Sequence, residues 1–319
     1  MNPSESWFAS PLASPLLWPT VKVVGSILGA AFVLLLLKER RRLKELPRLE
    51  LFKRLFTWAL IAPAYLLVVL SGRVPTALFV SLMVFQGIRE YAKLVGLPRP
   101  YRWVLLGMGL LATPAAIYSQ PAFYGLPALL LVLATLQPLL FRNEHVGVRD
   151  LAYAVFGWGY LAWLLGHFLL LYMYVAGGPG VLLAVGLAVA LSDVGAFVLG
   201  KSLGGPKLSP RNSPNKTWAG VGGSLLGAAL GIGLMRFSLP DALPIAVVFA
   251  LPIVVALGCL WGDLLESAIK REFRAKDAGA WLPGFGGLLD RIDSLIVVLP
   301  LTYYLVVLAG AQFVLVGAR

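Results

Sequence analysis

Ten apolar runs, each a candidate membrane crossing, constrain this chain more than any other feature. They fall at 21–37, 55–71, 74–88, 103–119, 122–141, 151–175, 179–199, 218–235, 243–262 and 295–317. A crossing needs about 20 apolar residues, within a range of about 17–25. The third run is short, and its link to the second is the tight Ser71-Gly72-Arg73. The bilayer core gives backbone N–H and C=O groups no partner, so runs of this kind are expected to be helices. Composition agrees with a membrane protein. Of 319 residues, 59% are hydrophobic and 13% charged, with mean hydropathy +0.83, whereas soluble domains carry about 25% charge. A soluble globular enzyme, a disordered chain and a coiled coil are excluded. The expected fold class is an all-α polytopic integral membrane protein.

Charge orients the expected bundle. If the N-terminus lies outside, 23 of the 27 Lys and Arg fall in inside segments 38–54, 89–102, 142–150, 201–217 and 263–294. Lys22, Arg73, Arg236 and Arg319 are the remainder. That asymmetry obeys the positive-inside rule and predicts an N-out, C-out arrangement with an even number of spans. The first 20 residues hold no Lys or Arg, so they lack a cleavable leader's basic start. The run Lys38-Glu39-Arg40-Arg41-Arg42-Leu43-Lys44-Glu45 reads as a topology determinant continuing the first helix. The net charge of +12 does not imply nucleic acid, because the basic residues sit in short runs between spans rather than on one face. They suit anionic lipid headgroups.

Two polar inside loops, 201–217 and 263–294, follow residue 190, whereas earlier spans hold few polar groups. This divides the chain into 1–180, with about six spans, and a catalytic region over 181–319. Asp193 lies near the inner end of an apolar run. A carboxylate there either faces a cavity or partner, or simply reaches the interface from a helix end. His167 and Cys259 read as packing residues, one Cys excludes a disulfide framework, and His145 and His167 are too few for a His-rich metal site. The first loop, Lys201 to Trp218, has three Pro and two Gly, which forbid a regular helix. Its Ser, Asn, Thr and four basic residues could cradle phosphate where the next helix starts, or form an ordinary basic connection.

The second loop says more. If the preceding helix continues past the membrane, Asp263, Ser267, Lys270 and Arg271 share a face. A glycine-rich turn then leads to a helix carrying Asp290 and Asp293 three residues apart, on one face. Carboxylates and cations converging at the membrane surface suit Mg²⁺ and a polyphosphate; spacing alone is equally compatible with surface salt bridges.

These residues also resemble a known signature. Ser267-x-x-Lys270-Arg271, Lys276-Asp277 and Leu282-Pro283-Gly284-Phe285-Gly286-Gly287-x-Leu289-Asp290-Arg291-Ile292-Asp293-Ser294 are similar to the signature of the phosphatidate cytidylyltransferases, or CDP-diacylglycerol synthases. Upstream, Ser192-Asp193-x-Gly195-Ala196-Phe197 and Ser213-Pro214-x-Lys216-Thr217-Trp218-x-Gly220 resemble further family segments in the right order. Two positions depart from the pattern. Phe285 stands where the family has His between glycines, and Ala219 stands where an acidic or amide residue follows the Trp.

The resemblance implies transfer of CMP from CTP to phosphatidate, with Mg²⁺ and room for a second cation, at the cytoplasmic face of a bacterial-type inner membrane. It implies that Asp263, Asp290, Asp293 and Asp193 hold metal. Asp263, Asp290, Lys270 and Arg271 would be catalytic. Ser213, Lys216, Thr217, Ser267, Lys276, Asp277 and Arg291 would bind substrate. The expected partners are CTP, phosphatidate or another anionic lipid phosphate, and membrane lipids. A second copy in a homodimer is compatible, and nucleic acid is not expected. The alternatives are a transferase acting on another lipid phosphate or alcohol, and a catalytically weakened relative. A transporter is disfavoured, since polar groups crowd one face and no repeat is visible.

Overall fold

The computed structural model describes residues 3–40, 49–140, 147–210, 213–275, 278–279 and 286–309. Among the described residues, a helix overlaps each of the ten apolar runs: α1 (Leu17–Lys38), α2 (Glu50–Leu70), α3 (Arg73–Leu94), α4 (Arg99–Tyr118), α5 (Gln120–Leu140), α6 (Val148–Trp158) with α7 (Leu164–Tyr174), α8 (Gly178–Leu203), α9 (Trp218–Leu234), α10 (Ile245–Glu272) and α11 (Leu289–Leu308). α6 and α7 are one rod, joined through a π-helical turn at Gly159–Trp163. Among the described residues, five of the rods are long and apolar enough to cross a membrane by length and composition: α1, α6 with α7, α8, α10 and α11. Interior prolines Pro63, Pro114, Pro252 and Pro300 leave the helices continuous, as packed membrane helices allow.

A small hairpin is added to the expected all-α architecture. β1 (Lys207–Ser209) and β2 (Ser213–Thr217) pair antiparallel, with Lys207 opposite Thr217 and Ser209 opposite Ser213. The prolines and glycines of the first loop stop α8 at Leu203, and Thr217 restarts the chain as the N-cap of α9, its Oγ1 accepting the Gly220 N–H at 3.1 Å.

α7 forms the centre. Leu165, Phe168, Leu170, Leu171 and Tyr172 are all buried, and the helix packs against α3, α4, α8 and α11. His167 is buried in this core, its ring edge-on to Phe123, Trp163 and Tyr303, so the packing role expected for it holds. α8 and α9 meet through small residues. A Cβ on Gly195, Gly223, Gly227 or Gly231 would strike backbone of the facing helix, and Ser192 and Ser224 hydrogen-bond across the seam at 2.6 Å. Such small faces replace hydrophobic association where the solvent is lipid. The outward face of α10 is apolar, with Phe249, Ile253, Leu257 and Trp261 exposed at helical spacing.

The connections sort to two ends. At one, Ala9 N–H donates to Ser71 O at 2.8 Å, Arg73 N–H to Ser6 O at 2.9 Å, and Ser238 Oγ to Gly180 O at 2.9 Å. Gly72, at φ +103°, lies against the backbone of Trp7 to Ala9, where any side chain would collide. At the other end stand the hairpin, the last turns of α3 and α10, and the start of α11.

Candidate active site

The second end gathers most of the charged residues singled out in the sequence. α10 runs unbroken to Glu272, so Asp263, Ser267 and Lys270 rise along one side, with Glu266 beside them. α11 begins at Leu289 and carries Asp290 and Asp293 in its opening turns. The two helices close on each other at Gly262, where a Cβ would meet the Asp293 carbonyl and the Ser294 Cα. One missing side chain thus brings the two carboxylate-bearing helices into contact.

The deeper tier is a three-way ion cluster, with Glu266 buried and Lys270 and Asp290 half-buried. Lys270 Nζ lies 2.6 Å from Glu266 Oε2 and 2.8 Å from Asp290 Oδ1. Asp290 Oδ2 also accepts the Gly287 N–H at 2.8 Å and the Ala278 N–H at 3.1 Å. Buried charges survive desolvation only when paired and hydrogen-bonded, and Asp290 meets that condition. Glu266 meets it in part. It is 3% exposed, and its Oε1 has no hydrogen-bond partner among the described residues.

The open tier lies beside it. Lys216, from β2, forms an ion pair with Asp263. Asp193, on α8, is exposed and within electrostatic reach of Asp263, Lys216 and Arg291. Asp293 is buried and turns toward Asp263 rather than toward Asp290, its Oδ1 accepting its neighbour Ser294's N–H at 2.8 Å. Acidic and basic groups therefore alternate from a buried floor to an accessible mouth, an arrangement able to hold a cation and a polyphosphate together.

The four aspartates expected to hold metal divide between two neighbouring groups. Asp193, Asp263 and Asp293 form one group, Asp193 and Asp263 accessible and Asp293 buried against Asp263, whereas Asp290 is committed to Lys270 and loop N–H groups. Among the described residues, no three His, Cys, Asp or Glu come together as a group that could hold a metal ion. Ser213 opens β2, half-buried, and Ser267 is half-buried on α10. Thr217 is buried and its oxygen caps α9, a duty the sequence reading had not assigned it. Arg271 is exposed at the end of α10, and Ala219 sits in the first turn of α9. Lys276, Asp277 and Phe285 lie outside the described residues.

Sequence reasoning missed two carboxylates, Glu266 and Glu90. Glu266 stood in a recognised segment without a role. Glu90 lies on α3 with Gln86 one turn earlier, but Arg89 and Lys93 beside it make its charge read as an ordinary helix-end residue.

The sequence model of the cytidylyltransferase family matches residues 52–309. The chain belongs to that family. A phosphatidate cytidylyltransferase of Bacillus subtilis (strain 168) is 32% identical over 276 residues, covering 81% of this chain and 98% of its own length. One from Synechocystis is 31% identical, covering 78% and 93%. One from Brucella suis is 46% identical over 122 residues, which is 38% of this chain and 43% of the relative. The family match takes in every charged group of both tiers and reaches back to residue 52 in α2, beyond what the signature residues alone covered.

Proposed function

We propose that this protein transfers CMP from CTP to phosphatidate, giving CDP-diacylglycerol and pyrophosphate. The observation that carries the reading is the meeting of Lys216, Asp263, Lys270, Asp290 and Asp293 at one end of an apolar bundle. Full-length relatives named phosphatidate cytidylyltransferase support the substrate assignment.

In the proposed reaction a phosphate oxygen of phosphatidate bonds to the α-phosphorus of CTP. The bond from that phosphorus to the oxygen bridging to the β-phosphate breaks, and pyrophosphate leaves with the electron pair. The nucleophile is ionised at neutral pH, so no protein base has to remove a proton. The work left to the protein is alignment and charge neutralisation. Lys216 and Arg291, at the accessible mouth, would hold the triphosphate. Lys270, fixed between Glu266 and Asp290, would hold α10 and α11 in register and present positive charge from below. Ser213 and Ser267 would donate hydrogen bonds to phosphate oxygens. Lys276 and Asp277 keep the substrate-binding role that the signature implies.

The donor set fits Mg²⁺. Asp193 and Asp263 offer accessible hard oxygen ligands, with Asp293 buried behind Asp263, and Mg²⁺ is typically held by one or two carboxylates with waters and substrate phosphates. An incomplete protein cage is therefore compatible with it. When bound, Mg²⁺ would neutralise charge on the reacting and departing phosphates. The proposal includes a second cation beside it.

The proposal includes ten spans, both termini outside, and a site facing the cytoplasm of a bacterial inner membrane. Its support is the 23-of-27 charge asymmetry and the sorting of connections to two ends. The direct test supplies labelled CTP and Mg²⁺ to the purified protein, with a panel of lipid phosphates and alcohols. CDP-diacylglycerol formed from phosphatidate is the expected result. A product from a different lipid only, or nucleotide binding without turnover, refutes the substrate assignment.

A further inference from the structure

The first turn of α11, which delivers Asp290 and Asp293, is gripped by a side chain from far away in the sequence. Glu90, near the inner end of α3, is 6% exposed. Its Oε1 accepts the Leu288 N–H at 3.1 Å, and its Oε2 accepts the Leu289 N–H at 2.9 Å. Gln86, one turn earlier, donates its Nε2 to Oε1 at 2.9 Å. The loop before α11 is shaped around this carboxylate. A Cβ on Gly279 would lie 2.8 Å from the Glu90 carboxyl carbon, and one on Gly287 would lie 3.0 Å from it.

The first N–H groups of a helix have no partner within it, and the helix dipole concentrates partial positive charge there. A side chain at the helix's own N-cap ordinarily fills that role. Here the residue preceding α11 is Leu288, which makes no side-chain cap. Glu90 caps the helix from another element, and its buried charge is compensated by three N–H donors. Asp290 takes the neighbouring Gly287 N–H. Two carboxylates therefore hold three consecutive N–H groups, those of residues 287–289, one from inside the turn and one from across the bundle. Asp290 follows immediately after the two residues that Glu90 fixes, so any slack at Glu90 appears directly in Asp290 and, three residues on, in Asp293.

We propose that Glu90 is a positioning residue for the carboxylates of α11, and that through it the N-terminal helices set the geometry of the phosphate-transfer site. It touches neither substrate nor reacting atoms. This rests on the proposed cytidylyltransfer reading for its kinetic consequence, but not for its structural one. Groups that orient metal ligands through a second contact are typically worth about 10–100-fold in metal affinity or activity.

The experiment uses Glu90→Gln in the full chain, which keeps the shape but turns an amide NH₂ toward a backbone N–H. The first readout is amide hydrogen exchange without nucleotide or metal. Faster exchange is expected in peptides spanning 286–294, with α8 and α9 unchanged. The second readout is the Mg²⁺ concentration for half-maximal turnover, expected to rise about 10-fold or more, with KM for phosphatidate unchanged. If Glu90→Gln does not accumulate, Glu90→Asp is measured the same way, since it keeps charge at shorter reach. Unchanged exchange at 286–294 overturns the proposal. So does a uniform loss of turnover with the Mg²⁺ dependence unmoved, because that marks a merely structural contact. If the unaltered protein makes no CDP-lipid at all, the proposed function fails. The exchange readout alone then decides whether Glu90 pins α11.

Discussion

Lys216 on the hairpin pairs with Asp263 on α10, and this contact ties the first polar loop to the helix that carries the second. Both side chains are partly open, 22% and 42% exposed. Exposed ion pairs contribute at most about 1 kcal/mol to stability. The contact therefore belongs to function more than to folding. Asp263 with Lys216 forms a pre-arranged dipole, negative toward a cation and positive toward a phosphate.

It follows that Lys216→Ala separates activity from stability. We predict a loss of about 10- to 100-fold in turnover per CTP bound, on the scale of removing one charge-assisted contact of about 1.5–3 kcal/mol. The thermal unfolding midpoint should stay nearly unchanged. A large fall in the midpoint, measured by intrinsic tryptophan fluorescence, would show that the pair is structural.

The aspartates should divide by their surroundings. Asp263→Asn and Asp290→Asn each remove a negative charge with little change of shape, and each should lower turnover at least about 100-fold, as loss of a key electrostatic group does. Only Asp290→Asn should also destabilise. It strips the half-buried Lys270 of one of its two carboxylates, and breaking a fully buried pair costs about 3–5 kcal/mol, so the loss here should be smaller but measurable. Equal thermal stability of the two variants would contradict the division into open and deeper tiers.

The bundle was legible in the sequence because apolar length alone forces helices in lipid. Within the described residues, a helix covers most of each of the ten runs for that reason. The pairing of Asp290 with Asp293, and the extension of α10 beyond its apolar part, were legible from spacing. What escaped depends on contacts between distant segments. Glu90 and Leu289 are 199 residues apart, and no local pattern announces their bond. The double pairing of Lys270 is likewise a product of how α10 meets α11. The hairpin was hidden because its prolines and glycines exclude helix without specifying a pairing register. The π-helical turn at Gly159–Trp163 leaves no mark on the hydropathy that identified its rod.

Gly262 offers a test of helix approach as a determinant of the site. A methyl group there would press on the Asp293 carbonyl and the Ser294 Cα. Neither is the end of a flexible side chain, so α10 and α11 must separate. Gly262→Ala should cost about 1–3 kcal/mol in stability, as overpacking does. It should lower turnover by displacing Asp293 relative to Asp263. Gly25, by contrast, has nothing within 4 Å of an added Cβ, and Gly25→Ala should behave like the unaltered protein in both assays.

Orientation in the membrane can be settled by labelling, because the single cysteine is silent. Cys259 is buried, so a membrane-impermeant maleimide should leave the unaltered protein unmodified in intact cells. Three exposed positions report the two ends. Lys207 is on the hairpin, Glu272 ends α10, and Asp241 lies in the connection between α9 and α10. The charge asymmetry puts the first two inside, where cytoplasmic CTP is available, and the third outside. Asp241→Cys should therefore react in intact cells, whereas Lys207→Cys and Glu272→Cys should react only after the membrane is opened. Reaction of Glu272→Cys from the outer face would invert the topology. It would also deny the carboxylate site access to the nucleotide pool.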